Sequence, residues 1–191
     1  MGKLFCLMGK SSTGKDHIYK AIIEKLGEKL REVTTYTTRP MRVNEVQGRE
    51  YNFVTESKMQ ELKQAGRIIE CRTYPTVHGD WHYFTADDGQ IRLEEANYIM
   101  IGTLEAYMSL KEYYKDAVVP IYIEVEDGER LFRALRRERK QTPPRYEEMC
   151  RRFLADNADF SEENLEKAGI TRRYINDDFD QCVEEVISSM V

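Results

Sequence analysis

The stretch Lys3-Leu4-Phe5-Cys6-Leu7-Met8-Gly9-Lys10-Ser11-Ser12-Thr13-Gly14-Lys15 decides the fold. Its first half is a short apolar run that ends at a glycine, and beyond it apolar residues recur at Ile18, Ala21, Ile22 and Leu26 with helical spacing. A buried strand, a turn and a helix follow from this pattern. The turn itself, Gly9 to Lys15, has the form G-x-x-x-x-G-K in the context that motif requires. Gly9 and Gly14 permit the tight turn. The backbone N–H groups of Ser11, Ser12, Thr13 and Gly14, with the helix N-terminus, face a phosphate chain, and Lys15 adds a point charge on it. The next position calls for a serine or threonine hydroxyl to bind magnesium, yet it holds Asp16.

Outward from this unit the pattern repeats. Tyr98 to Ile101 reads as a strand, Leu104 to Tyr114 as a helix, Val118 to Val125 as a strand and Glu129 to Arg139 as a helix. Tyr174 to Asn176 reads as a last short strand, and Cys182, Val183, Val186 and Ile187 as the inner face of a closing helix that Asp177-Asp178 caps. Such alternation predicts an α/β fold of three layers, with helices on both faces of a central parallel sheet. Residues 34–85, rich in Thr, Arg and Tyr with strand-like pieces, and the Arg- and Pro-containing segment at about 137–150 interrupt the core formed by 1–33 and 86–191. Insertions on such sheets commonly carry ligand contacts.

With 191 residues one domain is expected. The excess of 34 acidic over 29 basic side chains argues against a nucleic-acid groove, so phosphate recognition must come from local clusters. No apolar run approaches the roughly 20 residues that span a bilayer, and a cytoplasmic protein without membrane partners is expected. Cys6, Cys71, Cys150 and Cys182 are too scattered for a zinc site or a disulfide framework, and His17, His78 and His82 for a metal cluster.

The segment Thr37-Thr38-Arg39-Pro40-Met41-Arg42 through Glu45, Gly48, Tyr51, Phe53 and Val54 closely resembles the guanylate kinases, which carry T-T-R-x-x-R-x-x-E-x-x-G-x-x-Y-x-F-V. The resemblance continues through Ile69-Glu70, Arg151-Arg152-Phe153 and Ile175-Asn176-Asp177-Asp178, and is weakest between Cys71 and Leu104. It implies a kinase that moves the γ-phosphate of ATP to GMP with Mg²⁺, acting as a monomer or homodimer. Residue by residue, it implies that Arg39 and Arg42 grip the monophosphate, a contact that planar guanidinium groups suit. Tyr51 and, in the lengthened stretch Gly79 to Thr85, Tyr83 reach the same phosphate; both also read as packed aromatics. Thr35 and Thr85 lie near the base, and Glu70 accepts hydrogen bonds from the ring N–H and amino group of guanine, a pattern that adenine reverses. Asn176 lies near the adenine of ATP. Among the arginines that follow Glu129, the resemblance implies that Arg137, Arg139 and Arg152 form a lid that stabilises charge on the transferred group, beside the reading that such arginines form a solvated face paired with Glu138, Glu147 and Glu148.

Two positions break the family pattern. Ile101 and Thr103 stand where the family carries an Asp-x-Asp pair, one acid near magnesium and the other near guanine. Either Asp16 relocates the lost carboxylate, with Glu105 a second candidate, or catalysis is impaired. The alternatives to a GMP kinase are therefore a guanylate kinase-like binding module and a kinase for another nucleoside monophosphate.

Overall fold

The computed structural model describes residues 1–76 and 79–190, so His78 lies outside the described residues. Along the chain the strands are β1 (Leu4–Met8), β2 (Leu30–Glu32), β3 (Tyr36–Thr37), β4 (Asn52–Phe53), β5 (Ile68–Thr76), β6 (Gly79–Ala86), β7 (Asn97–Ile101), β8 (Val118–Glu124) and β9 (Arg173–Ile175). The α-helices are α1 (Lys15–Leu26), α2 (Glu56–Gln64), α3 (Leu104–Tyr114), α4 (Asp127–Glu138), α5 (Tyr146–Asp159), α6 (Glu162–Lys167) and α7 (Phe179–Met190).

A five-stranded parallel sheet, in the order β2-β7-β1-β8-β9, forms the centre. Strand β1 is buried along its whole length because it is covered on both faces, which is why it reads as an unbroken apolar run. Its side chains alternate between two cores. Leu4, Cys6 and Met8 pack with Tyr98, Met100, Tyr107, Leu110 and Leu165. Phe5 and Leu7 pack with Ile18, Ile22, Ile99, Ile121, Val183 and Val186. The three layers anticipated from the βα alternation are thus present.

A second sheet, in the order β4-β3-β6-β5, occupies part of residues 34–85 and packs over α2 through Met59, Leu62 and Phe84. The helices α2, α5 and α6 do not follow from the apolar spacing quoted above. The turn between α4 and α5 is closed by Glu138, whose carboxylate accepts from Gln141 Nε2 at 3.0 Å and from the Arg145 backbone N–H at 3.1 Å. Glu138 is therefore a buried cap of that turn, not a surface partner for arginines. Asp178 accepts from Gln181 N at 2.9 Å at the start of α7, the capping role expected of it. Among the described residues, no helix is long and apolar enough to cross a membrane.

Candidate active site

The loop between β1 and α1 holds an unusual conformation. Gly14 has φ +85°, and a Cβ there would lie 2.5 Å from Asn176 Nδ2, so only glycine fits. That same Nδ2 donates to Thr13 O at 2.7 Å, tying the loop to the end of β9. Ser12 has φ +68°, a conformation that costs a non-glycine residue about 1–3 kcal/mol. Among the described residues, Ser12 Oγ is also a buried side-chain atom without a hydrogen-bond partner. A strained residue with an orphaned hydroxyl, beside a turn where a Cβ has no room, fits a loop shaped for a ligand rich in oxygen.

Ser11 is held from three directions. Its N–H donates to Asp156 Oδ2 at 2.7 Å, its carbonyl accepts from Arg130 Nε at 3.1 Å, and its hydroxyl accepts from Arg152 Nη2 at 3.2 Å. Arg130 is only 1 % exposed, lies over the Phe153 ring at 4.8 Å, and also bonds Asp127 and Asn157.

Three of the clefts that border this loop and the start of α1 concern the site. A cavity of about 420 Å³ is lined by Ser11 and Ser12, by Arg42 from the segment after β3, and by Arg137, Arg145 and Arg152. A second, about 540 Å³, is lined by Lys15, Asp16, Arg133, Arg137, Asn176 and Phe179. A third, about 680 Å³, is lined by Asp16, Tyr19, Glu32, Thr35, Tyr51 and Ile101. Asp16 is exposed and lines both of the latter two. Arg139 lies outside all three linings, because Arg130, Ala134 and Arg137 share one helical face whereas two further residues turn the chain about 200° away.

The arginine pair of the second sheet is divided. Arg39 is buried; both its Nη atoms bond Glu45, at 2.7 and 2.5 Å, and its guanidinium lies against the rings of Tyr51 and Phe53, 5.1 and 5.2 Å from their centroids. Glu45 also accepts from the Arg42 N–H at 2.8 Å, so the anchored Arg39 fixes the backbone that carries Arg42. Tyr51 meets Tyr83 edge-on at 5.5 Å. Thr85, fully buried, donates to Glu70 Oε1 at 2.8 Å, and Arg72 Nε donates to Glu70 Oε2 at 3.0 Å. Thr103 caps α3 by accepting from Ala106 N at 3.2 Å, and Ile101 ends β7.

The hydrogen bonds from Arg39, followed by that from the Arg42 N–H, hold the Glu45 carboxyl down from 4.5 to about 2. A folded-state value below the unfolded one gives stability that is complete above about pH 4.5 and is lost as pH falls toward about 2. Glu45→Gln should therefore flatten the fall in urea midpoint across that window. Parallel curves for the two proteins would remove Glu45 from the linkage.

Arg72, Glu45, Arg130, Arg145 and Asp156 were not among the site residues expected from sequence. Of these, Glu45, six residues from Arg39 within the quoted family string, and Arg145, within the Arg- and Pro-containing segment, carried a signal.

A parallel sheet, a phosphate-type loop opening a helix and a cationic cavity above it define the P-loop class of nucleotide-binding proteins. Within that class, the guanylate kinase family model matches residues 1–190, and the chain belongs to the guanylate kinase family. It is 27 % identical over 207 residues to a guanylate kinase of Mycoplasma mobile, covering 97 % of this chain and 90 % of that one. It is 26 % identical over 199 residues to a guanylate kinase of Porphyromonas gingivalis, covering 97 % and 95 %. The crystal structure of guanylate kinase from Anaplasma phagocytophilum shares the fold, with a TM-score of 0.63 and 18 % identity over 99 % of this chain and 84 % of that one.

Proposed function

We propose that the protein transfers the γ-phosphoryl group of ATP to GMP, giving ADP and GDP. The observation that carries this reading is the 420 Å³ cavity, in which the phosphate loop meets Arg42 from one segment and Arg137, Arg145 and Arg152 from another. An anion shared between two bound phosphate groups is what such a convergence suits.

In this reading Gly9, Ser12, Thr13 and Gly14 cradle the β- and γ-phosphates together with the Ser11 hydroxyl, the Ser11 N–H being committed to Asp156, and Lys15 neutralises them, while Asn176 and Phe179 flank the adenosine side of the 540 Å³ cleft. Residues 34–85 form the acceptor domain. Arg42 grips the monophosphate directly, Arg39 holds Tyr51 and the Arg42 backbone in place, Tyr51 and Tyr83 complete the phosphate side, and Thr35, Glu70 and Thr85 face the base. The arginines of residues 137–150 and Arg152 act as a lid, with Arg137 and Arg152 against the transferred group and Arg139 toward solvent. No covalent intermediate is required; orienting the two substrates and excluding water supply the rate.

Among the described residues, no group of three or more acidic, His or Cys side chains could hold a metal. A magnesium ion bound to phosphates needs only one or two carboxylates and keeps several waters, so the single Asp16 fits. When bound, it would neutralise charge developing between the phosphates. The reading suits a cytoplasmic protein working as a monomer or homodimer.

A coupled assay with GMP, dGMP, AMP, UMP and CMP, with and without magnesium, tests it; absence of turnover with every acceptor would refute it. The second reading, a binding module without transfer, draws on Ile101 and Thr103, neither of which can replace an acid. Glu70→Gln should weaken GMP binding by roughly 1–3 kcal/mol, because an amide N–H would oppose a guanine donor, and leave ATP binding unchanged. Equal losses in calorimetry would remove Glu70 from the base pocket.

A further inference from the structure

Resting on the nucleoside monophosphate kinase reading above, we propose that Arg72 is a base-contacting specificity residue. With Glu70 it reads the lactam edge of a 6-oxopurine, a ring N–H beside a carbonyl oxygen, in place of the 2-amino group of guanine.

Glu70 and Arg72 stand two apart on β5 and so share a face of the strand. Arg72 Nε donates to Glu70 Oε2 at 3.0 Å and Nη2 approaches Oε1 at 3.5 Å, while Oε1 also accepts from Thr85 at 2.8 Å. A carboxylate offers about four acceptor sites; here two are engaged and Nη2 stands over a third. Guanine brings N–H donors at adjacent ring and exocyclic positions and needs two free sites. About one is left, enough for the ring N–H alone.

Exposure points the same way. The Glu70 side chain is 2 % exposed and that of Arg72 14 %, so an incoming base meets the cation before the carboxylate. The remaining guanidinium donors are poorly used: Nη1 lies 3.5 Å from Thr103 Oγ1, a long contact to an oxygen already engaged in capping α3. A guanidinium donor matches the carbonyl oxygen of a 6-oxopurine, next to the ring N–H that Glu70 accepts. Adenine presents amino hydrogens there and would set donor against donor. Thr103, at the position where the family carries its second acid, accepts where Arg72 donates, whereas an acid there would compete with Glu70 for the same cation.

The consequence is a site that tolerates loss of the 2-amino group. A pocket that uses that group rejects the analogue without it by several orders of magnitude. Here GMP and IMP should bind within about 10-fold of each other, with AMP at least about 100-fold weaker. Arg72→Met removes the carbonyl contact for both 6-oxopurines but frees Glu70 to take both guanine donors, so the GMP-to-IMP preference should widen by at least about 10-fold. Arg72→Lys keeps a charge without the fork and should widen it by about 3-fold or more.

The experiment is calorimetric titration of GMP, IMP and AMP into the full-length parent and both variants, alongside kcat/KM for the same acceptors. Circular dichroism checks folding; if Arg72→Met is unfolded, Arg72→Lys decides. A parent preference for GMP over IMP above about 100-fold, or a ratio unchanged in the folded variant, overturns the proposal. Binding ratios that change as stated in a protein without transfer would refute the kinase reading and keep Arg72. Transfer to GMP with an unchanged ratio would do the reverse.

Discussion

Asp16→Ala should lower magnesium-dependent turnover by at least about 100-fold while GMP binding survives, consistent with loss of several kcal/mol of charge stabilisation. Asp16 opens the first turn of α1 immediately after Lys15, and it lines both the cleft with Asn176 and the cleft with Tyr51. A carboxylate beside a phosphate chain is repelled unless a cation lies between them, so its presence there makes sense as a direct or water-bridged ligand. The competing explanation is a favourable interaction with the helix dipole, worth about 0.3–1 kcal/mol and indifferent to magnesium. Asp16→Ser should fail as well, because a hydroxyl without an acid nearby restores only part of the arrangement. Ile101 lines the same cleft as Asp16, so adding Ile101→Asp to Asp16→Ser should recover part of the activity. Full turnover in Asp16→Ala would sink the assignment, and turnover equal to that of Asp16→Ser in the double variant would show that position 101 cannot hold the ion.

Arg130→Met should destabilise the protein by about 3 kcal/mol, near the lower end for breaking a buried ion pair. The guanidinium is 1 % exposed, but its partners Asp127 and Asp156 keep 45 % and 20 % of their side-chain exposure and so retain some hydration once abandoned. The variant also loses the contact with Ser11 O and the stacking on Phe153. Because Asp156 binds the Ser11 N–H, its unpaired charge would pull on the phosphate loop, and affinity for ATP should fall with stability. Adding Asp156→Asn removes that charge and keeps an acceptor, so it should restore part of both. Urea unfolding of the two variants, with and without ATP, measures this. A loss below about 1 kcal/mol in Arg130→Met would mean that α4 and α5 support the loop by packing alone.

The central sheet and α1, α3, α4 and α7 were legible because each buries a whole strand or a regular helical stripe. Helices α5 and α6 were not, since each buries a single residue, Met149 and Leu165; α2 buries Met59 and Leu62, only three apart, which is too short a stripe to set a helical period. The phosphate loop was legible from glycine spacing, because backbone conformation there demands particular residues. Arg130 was not, because its contact with Ser11 spans 119 residues and uses a backbone carbonyl, which leaves no pattern in either segment. Arg139 resembles Arg137 in composition but stands out of helical phase with it. Arg72 carried no signal for a different reason: residues 68–76 do not alternate cleanly between apolar and polar, so nothing in the sequence placed it on the same face as Glu70.

The cavity shared by Arg42, Arg137, Arg145 and Arg152 has a consequence for the protein without its substrates. Cations from two distant segments repel one another, so tightening that cavity is uphill until anions enter it. One nucleotide supplies part of the neutralisation, and the second phosphate group supplies the rest. Under the proposed transfer, closure would thereby be conditional on both occupants, and ATP bound alone would be left in an open site where water is a poor substitute for the missing acceptor.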